Sequence, residues 1–400
     1  MNVAVRHAPG PSIAAAPIRG RIARVEIFHE FAAAEPSWRA LERANAVGTP
    51  YQRYDFLLLW QRHIGAAAGV TPFIVVGFDS AGSPLLLWPF GRRNVGGLRV
   101  LEFLGGKHAN FNVALWCRDL AAGITKSEIQ DILSRLAGQA DALMLINQSL
   151  TWRGTSNPFA LLPYQVSPNM GYSGALAPDF DALLHARTNA AARKKMRKKE
   201  RTLAGFGAVR FERASNPADT RRVLDAFFKQ KSARMQSQGV PDVFAAPGVR
   251  RFIETAATES TSNAHPVLEL YALSVDDIVA ATLGGIVGGG RFCAMFNSII
   301  PDRFGAESPG EQLIVNLVRA CCQRGLSTFD LGIGEARYKN LLCDEAEPLF
   351  DSFLALTPAG RLFTVAARAH STIKRLIKRS PALWSVVRAA RRLRAWRASA

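Results

Sequence analysis

Four pieces of sequence are read together: Phe292-Cys-Ala-Met-Phe-Asn-Ser-Ile299, then Arg303-Phe-Gly-Ala-Glu-Ser-Pro-Gly310, then a helix-patterned run from Glu311 to Cys322, then Phe329-Asp330-Leu-Gly-Ile-Gly334-Glu335-Ala-Arg-Tyr338-Lys339. They describe an apolar strand, a glycine and proline loop, a helix, a second strand, and a loop crowded with a carboxylate, a phenol and an ammonium. Pro309 presets φ for a first helical turn, which makes Ser308 the N-cap candidate. The N–H groups that follow Gly310 are then expected to be free and to face forward, as an anion site does. Arg303, Ser308, Gly310, Glu311 and Gln312 are the residues this reading assigns to that site.

Upstream lies Arg193-Lys-Lys-Met-Arg-Lys-Lys-Glu-Arg-Thr-Leu203. With this run, the Ser308-Pro-Gly310 helix start and the Gly334-Glu335-x-x-Tyr338-Lys339 ending, the chain resembles the GNAT-like acetyltransferases grouped with cellulose biosynthesis. These are in turn similar to the Fem aminoacyltransferases of peptidoglycan, which carry two GNAT-like halves. The resemblance covers roughly residues 25 to 360 and is most specific over 187 to 345. It implies an α/β fold of tandem GNAT-like domains with mixed central sheets, and acyl-CoA as co-substrate with its pyrophosphate at the helix start. It also implies Glu335 as general base, with Asp330 as the rival carboxylate, and Tyr338 as the acid that protonates the departing thiolate. Lys339 reads as an electrostatic partner for a phosphate or an acceptor carboxylate. The chain departs from ordinary GNAT enzymes in its phosphate loop, where the Arg/Gln-x-x-Gly-x-Gly/Ala pattern is half present.

The 400 residues, 48% hydrophobic, suffice for two or three domains with ample cores. No apolar run reaches the roughly 18 residues that would span a bilayer. Residues 1–20 read as a disordered leader and not a signal peptide. Five cysteines, Cys117, Cys293, Cys321, Cys322 and Cys343, are odd in number and lack metal-ligand spacing, so no metal is implied and a reducing compartment is expected. The net charge of +18 is concentrated: residues 187–201 carry +7, residues 352–400 carry +11 without one acid, and the remainder is neutral. The chain is a neutral enzyme-like body with two basic devices, not a uniformly basic nucleic-acid coat.

Periodicity sets the organisation. In the first half strands are expected at Ile22–Phe28, Pro72–Asp79, Pro84–Phe90, Leu98–Leu104, Asn112–Cys117 and Ala142–Gln148, with helices at Ser37–Ala46, Tyr54–Ile64 and Ser127–Ala137. The second half repeats the order: helix Asp179–Ala204, strand Ala208–Glu212, helices Pro217–Gln238 and Pro247–Ala257, and strands Val267–Leu273, Ile278–Val287 and Arg291–Ile299. The expected division is a leader at 1–20, an N-terminal GNAT-like domain at 21–176, a C-terminal catalytic domain at 177–358 and a basic helical tail at 359–400.

In the first half Lys107, His108, Asn110 and Asn112 follow Gly105-Gly106 and suit a wall of an acceptor pocket; Arg153 and Asn157 form a second, weaker cluster. Arg193, Lys194, Arg197, Lys198 and Arg201 share one helical side, which is either a solvated face or a grip on an anionic head group, glycan precursor or tRNA backbone. In the tail Leu383, Val386, Val387, Ala390 and Leu393 recur at helical spacing beside Trp384 and Trp396, as in a basic amphipathic helix on an anionic membrane; RNA binding is the competitor. The expected function is acyl transfer from CoA to an amine on a membrane-associated acceptor, a long-chain base or an amino sugar, at the cytoplasmic face of a bacterial inner membrane. Two alternatives stay open: a Fem-like transferase using charged tRNA, and a non-catalytic accessory protein of exopolysaccharide synthesis.

Overall fold

The computed structural model describes residues 21–259, 266–301, 303–334, 342–380 and 383. Its strands are β1 (Arg24–Phe28), β2 (Thr71–Phe78), β3 (Pro84–Val95), β4 (Leu98–Phe103), β5 (Leu115–Trp116), β6 (Ala142–Ser149), β7 (Thr151–Trp152), β8 (Thr155–Ser156), β9 (Gln165–Ala175), β10 (Val209–Arg213), β11 (Glu269–Val275), β12 (Ile278–Gly288), β13 (Arg291–Ile299), β14 (Thr328–Ile333) and β15 (Glu345–Ala355). The α-helices among the described residues are α1 (Phe31–Arg43), α2 (Tyr54–Trp60), α3 (Arg118–Gly123), α4 (Lys126–Ser134), α5 (Phe180–Arg187), α6 (Ala190–Ala204), α7 (Pro217–Ser237), α8 (Pro247–Thr258), α9 (Pro309–Gln323) and α10 (Pro358–Arg379).

All but β7 and β8 join one sheet in the order β1-β2-β3-β4-β6-β15-β9-β14-β13-β12-β11-β10, with β5 beside β3. Each half is an antiparallel meander ending in one parallel pair, β4 with β6 and β13 with β14. The centre is an exchange. The last strand of the first half, β9, pairs with β14, and the last strand of the second, β15, pairs with β6 and with β9. The two halves therefore share a continuous hydrogen-bonded ladder.

β11 is buried at every position, as a strand covered on both faces must be. On one side α7 and α8 bring Phe227 and Phe252 into a core continuous with the first half, where Trp38, Trp88 and Trp116 are fully buried. On the other side Leu313, Leu317 and Cys321 of α9 join Phe180 and Leu203. Cys321 and Cys322 are thus packing residues, and burial pushes both thiols up.

The chain differs from the sequence reading at four places. The single helix expected over Asp179–Ala204 is two, because Thr188 is extended (φ −130°) and the Asn189 side chain accepts the Ala192 N–H, starting α6 anew. The strand expected at Asn112–Cys117 shrinks to Leu115–Trp116. Strands β9 and β15 had no counterpart in the reading. Of the tail, the described helix is α10, while the stripe from Val386 onward and both tail tryptophans lie outside the described residues, as does the leader.

Helix α10 is inverted in polarity. Gly360, Thr364 and Ser371 face the sheet, where Ser371 Oγ donates to Asp351 Oδ2 at 3.0 Å. Leu362, Val365, Ile373 and Leu376 face outward, 79%, 62%, 56% and 57% exposed. No described helix is long and apolar enough to cross a membrane.

Candidate active site

The site begins where β13 and β14 part. They pair in parallel only through Arg291–Cys293 and Thr328–Asp330. β13 then continues to Ile299 on β12, and β14 continues to Ile333 on β9. A wedge therefore opens toward the carboxyl ends of both strands. Asn110 of the first half reaches its root: Nδ2 donates to Ala294 O at 3.0 Å and to the Tyr51 hydroxyl at 2.9 Å. Gly332 (φ +73°) makes this approach possible, since a Cβ there would lie 2.6 Å from Asn110 Nδ2 and 3.1 Å from Ala294 O.

Beneath the root, Arg291 donates Nε and Nη2 hydrogens to Asp330 Oδ2 at 3.0 and 2.7 Å, and Nη2 also to Glu347 Oε1 at 2.9 Å. The guanidinium lies 4.4 Å from the Trp152 ring centroid. Burial lifts the Asp330 carboxyl to about 6 against the pull of Arg291 and the Gly332 N–H, so the pair is ionic at neutral pH. Asp330 is fully buried beneath the wedge, and its hydrogen-bond partners include the guanidinium, the Gly332 N–H and the Cys293 thiol.

The wedge opens toward the N-terminus of α9, and here the structure corrects the sequence reading. Ser308 occupies the N-cap position in the left-handed region (φ 51°) and makes no side-chain cap. Its carbonyl accepts both the Glu311 N–H at 3.0 Å and the Gln312 N–H at 3.2 Å. Pro309 has no N–H, so Gly310 carries the one first-turn N–H without a partner among the described residues. The Ser308 hydroxyl instead accepts from Lys199 Nζ at 2.6 Å, and the same ammonium reaches Glu311 Oε2 at 3.1 Å. Gln312 Nε2 donates to Glu307 O at 2.9 Å.

Lys199 thus ties the basic helix α6 to the start of α9, and a cleft of about 250 Å³ lies between α5, α6 and α9. Its cationic lining is Arg193, Arg197, Lys199 and Arg319; Asp181, Glu200 and Glu311 oppose them. Lys194, Lys198 and Arg201 are exposed. Arg303 is exposed, 5.3 Å from the Phe304 ring centroid, and does not line the cleft.

A second cavity, about 110 Å³, adjoins the wedge root where Met295 and Phe296 follow Ala294. Lys107, His108 and Asn110 line it against Phe244 and Phe252. His108 Nδ1 lies 3.1 Å from Trp60 Nε1, a donor only, so the neutral imidazole carries its proton on Nε2. Burial, with the neighbouring Lys107, pushes its pKa down to about 4. Asn112 is spent inside the first half on Ile146 O and the Gln52 side chain, and Asn157 on Ser149 O and the Phe159 N–H. Arg153 points to Asn45. None of these three lines the small cavity. Glu335, Tyr338 and Lys339 lie outside the described residues.

Lys199, Arg291, Glu347, Tyr51 and Trp60 went unread in the sequence. Only Lys199 carried a signal, as a cation in a basic run, and the run's uniformity hid which face mattered. Among the described residues no group of three or more His, Cys, Asp or Glu side chains is placed to hold a metal.

Residues 190–340 match the family model described as Acetyltransferase (GNAT) domain. No curated protein matches the sequence. The solved structure of FemX shares 11% identity over 85% of this chain and 100% of its own, with a TM-score of 0.56. A conserved protein of unknown function from Bacteroides thetaiotaomicron VPI-5482 shares 9% identity over 83% of this chain and 100% of its own, at 0.50. A tandem GNAT protein from the clavulanic acid biosynthesis pathway shares 8% over 84% and 99%, at 0.43. Residues 190–340 thus match a GNAT acetyltransferase domain, and the fold of the chain resembles that of FemX.

Proposed function

We propose that the chain moves an acyl group from a CoA thioester to the amine of an acceptor presented at an anionic membrane surface, a long-chain base or an envelope amino sugar. The observation that carries the transfer is the wedge between β13 and β14, rooted on Asn110 and opening toward the basic cleft between α6 and α9. Arg193, Arg197 and Lys199, with the Gly310 N–H, supply the positive groups for the donor's phosphates. The cavity beside the wedge, with apolar Phe244 and Phe252 and the polar groups of Lys107, His108 and Asn110, suits the acceptor.

In the reaction the amine nitrogen bonds the acyl carbon and the carbon–sulfur bond breaks. Glu335 takes the proton from nitrogen, and Tyr338 gives one to the leaving sulfur. Asp330, held by Arg291, positions the wedge instead. Membrane presentation is supported by α10, whose exposed Leu362, Val365, Ile373 and Leu376 are flanked by Arg361, Arg368, Lys374 and Arg379 without one acid in the helix.

The second reading, an aminoacyl group delivered on tRNA, is favoured by one feature: Lys194, Lys198 and Arg201 of α6 face solvent next to the donor cleft. The test incubates the purified chain with radiolabelled acyl-CoAs, and separately with charged tRNA, in the presence of anionic vesicles holding amine lipids. Label reaching the amine from CoA is the expected result. Transfer from charged tRNA alone would replace the donor, and transfer from neither would leave an accessory protein.

A further inference from the structure

A cavity of about 560 Å³ lies between the halves at the opposite end of β13 from the wedge. Arg291, at that end of β13, lies three residues from Ala294 at the wedge root, roughly 10 Å along the strand. Arg53, Arg153, Arg213 and Arg324 line it with the carboxylates of Glu42 and Glu269; Glu42 is engaged by Arg39 and the Tyr54 N–H, and the arginines are not equivalent. Arg324 donates to both oxygens of Glu269 at 2.7 and 2.9 Å, and Arg213 adds a contact at 3.6 Å, so that carboxylate is fully engaged.

Arg53 and Arg153 have no such match. Arg53 Nη1 is 3.4 Å from Val287 O, and the carboxylate in its reach, Asp55 at 3.8 Å, already receives two N–H bonds from Arg39. Arg153 donates to Asn45 Oδ1 at 2.8 Å and has no carboxylate within 4.0 Å among the described residues. The two guanidiniums converge on one turn: Arg53 on Val287, and Arg153 against Gly289 (φ +59°), where an added Cβ would lie 2.9 Å from its Nη1. Arg118 stands behind, bonded to Asn45 O and Thr155 Oγ1, with no carboxylate within 4.0 Å among the described residues. Burial lowers the pKa of Arg53 against the opposing pull of Asp55, Glu42 and Glu269.

We propose that this junction cavity binds a small polyanion, a phosphorylated or polycarboxylated metabolite, between Arg53 and Arg153. Guanidinium forks suit both groups, because each presents paired oxygens at matching spacing. The site is separate from the donor cleft and does not depend on the transfer chemistry proposed above.

The test is calorimetric titration of the full chain with pyrophosphate and with citrate, repeated on Arg53→Met/Arg153→Met and on Arg197→Met/Lys199→Met. At least one probe should bind the wild-type chain, weaken by tenfold or more in the junction variant, and keep its affinity in the donor-cleft variant. Pyrophosphate alone would identify a phosphoryl ligand, and citrate alone a carboxylate. Should the junction pair fail to fold by circular dichroism, Arg153→Ala at the exposed β7–β8 turn serves in its place. Absence of binding by both probes, or binding untouched at the junction and lost in the donor cleft, would overturn the proposal.

Discussion

Replacing His108 by glutamine should change the pH dependence of stability in a way that can be worked out beforehand. The folded imidazole has its pKa pushed down from 6.5 to about 4 by burial and by Lys107. As pH falls below 6.5 the unfolded chain takes up the proton first, so this group's contribution is fully present above pH 6.5 and is lost progressively down to about 4. Linkage makes the loss about 2 kcal/mol at pH 5 and about 3 kcal/mol at pH 4. In His108→Gln the titration disappears, while at pH 8 the variant gives up the bond from Trp60, worth about 1 kcal/mol. The stability advantage of the wild-type chain should therefore shrink by about 2 kcal/mol between pH 8 and pH 5 and pass to the variant. The assay is urea unfolding of both chains at several pH values, since other titrating groups cancel in the difference. A difference that stays constant across that range would refute the neutral, buried assignment, and with it the Nε2–H donor offered to the acceptor cavity.

Three further outcomes are expected. Lys199→Met removes the tie from α6 to Ser308 and Glu311 and should weaken CoA binding about tenfold by calorimetry with little change in turnover at saturating donor. Glu335→Gln should lower kcat by roughly 10² to 10⁴ with modest change in donor KM; an active variant with the wild-type pH profile would return the base to Asp330. Combined Leu362→Ser, Val365→Ser and Leu376→Ser, all at exposed positions of α10, should leave the melting temperature unchanged and abolish co-sedimentation with anionic vesicles. The wild-type chain should release from those vesicles as salt rises.

The sequence determined the elements whose reasons are local. Alternation along Arg291–Ile299, Pro309 ahead of an apolar helical run, and the buried stretches of β11 and β12 identified the second half, because period and punctuation act within a few residues. The α/β class followed from them, and the GNAT-like halves from the family resemblance together with the order of the elements. Tertiary structure decided what depends on partners distant in the chain. β9 contains Pro168, Gly171 and Gly174, and β15 contains Pro348 and a cluster of acids, so neither reads as a strand alone. Each is stabilised by the other and by the opposite half, an exchange that periodicity cannot express. The same holds for the site. Whether the N–H groups of Glu311 and Gln312 are free depends on the left-handed backbone of Ser308, and which cation of α6 matters depends on how that helix rests on α9. Sequence periodicity supplied the stretches that fold, while long-range hydrogen bonds and burial decided which polar groups are left to meet a ligand.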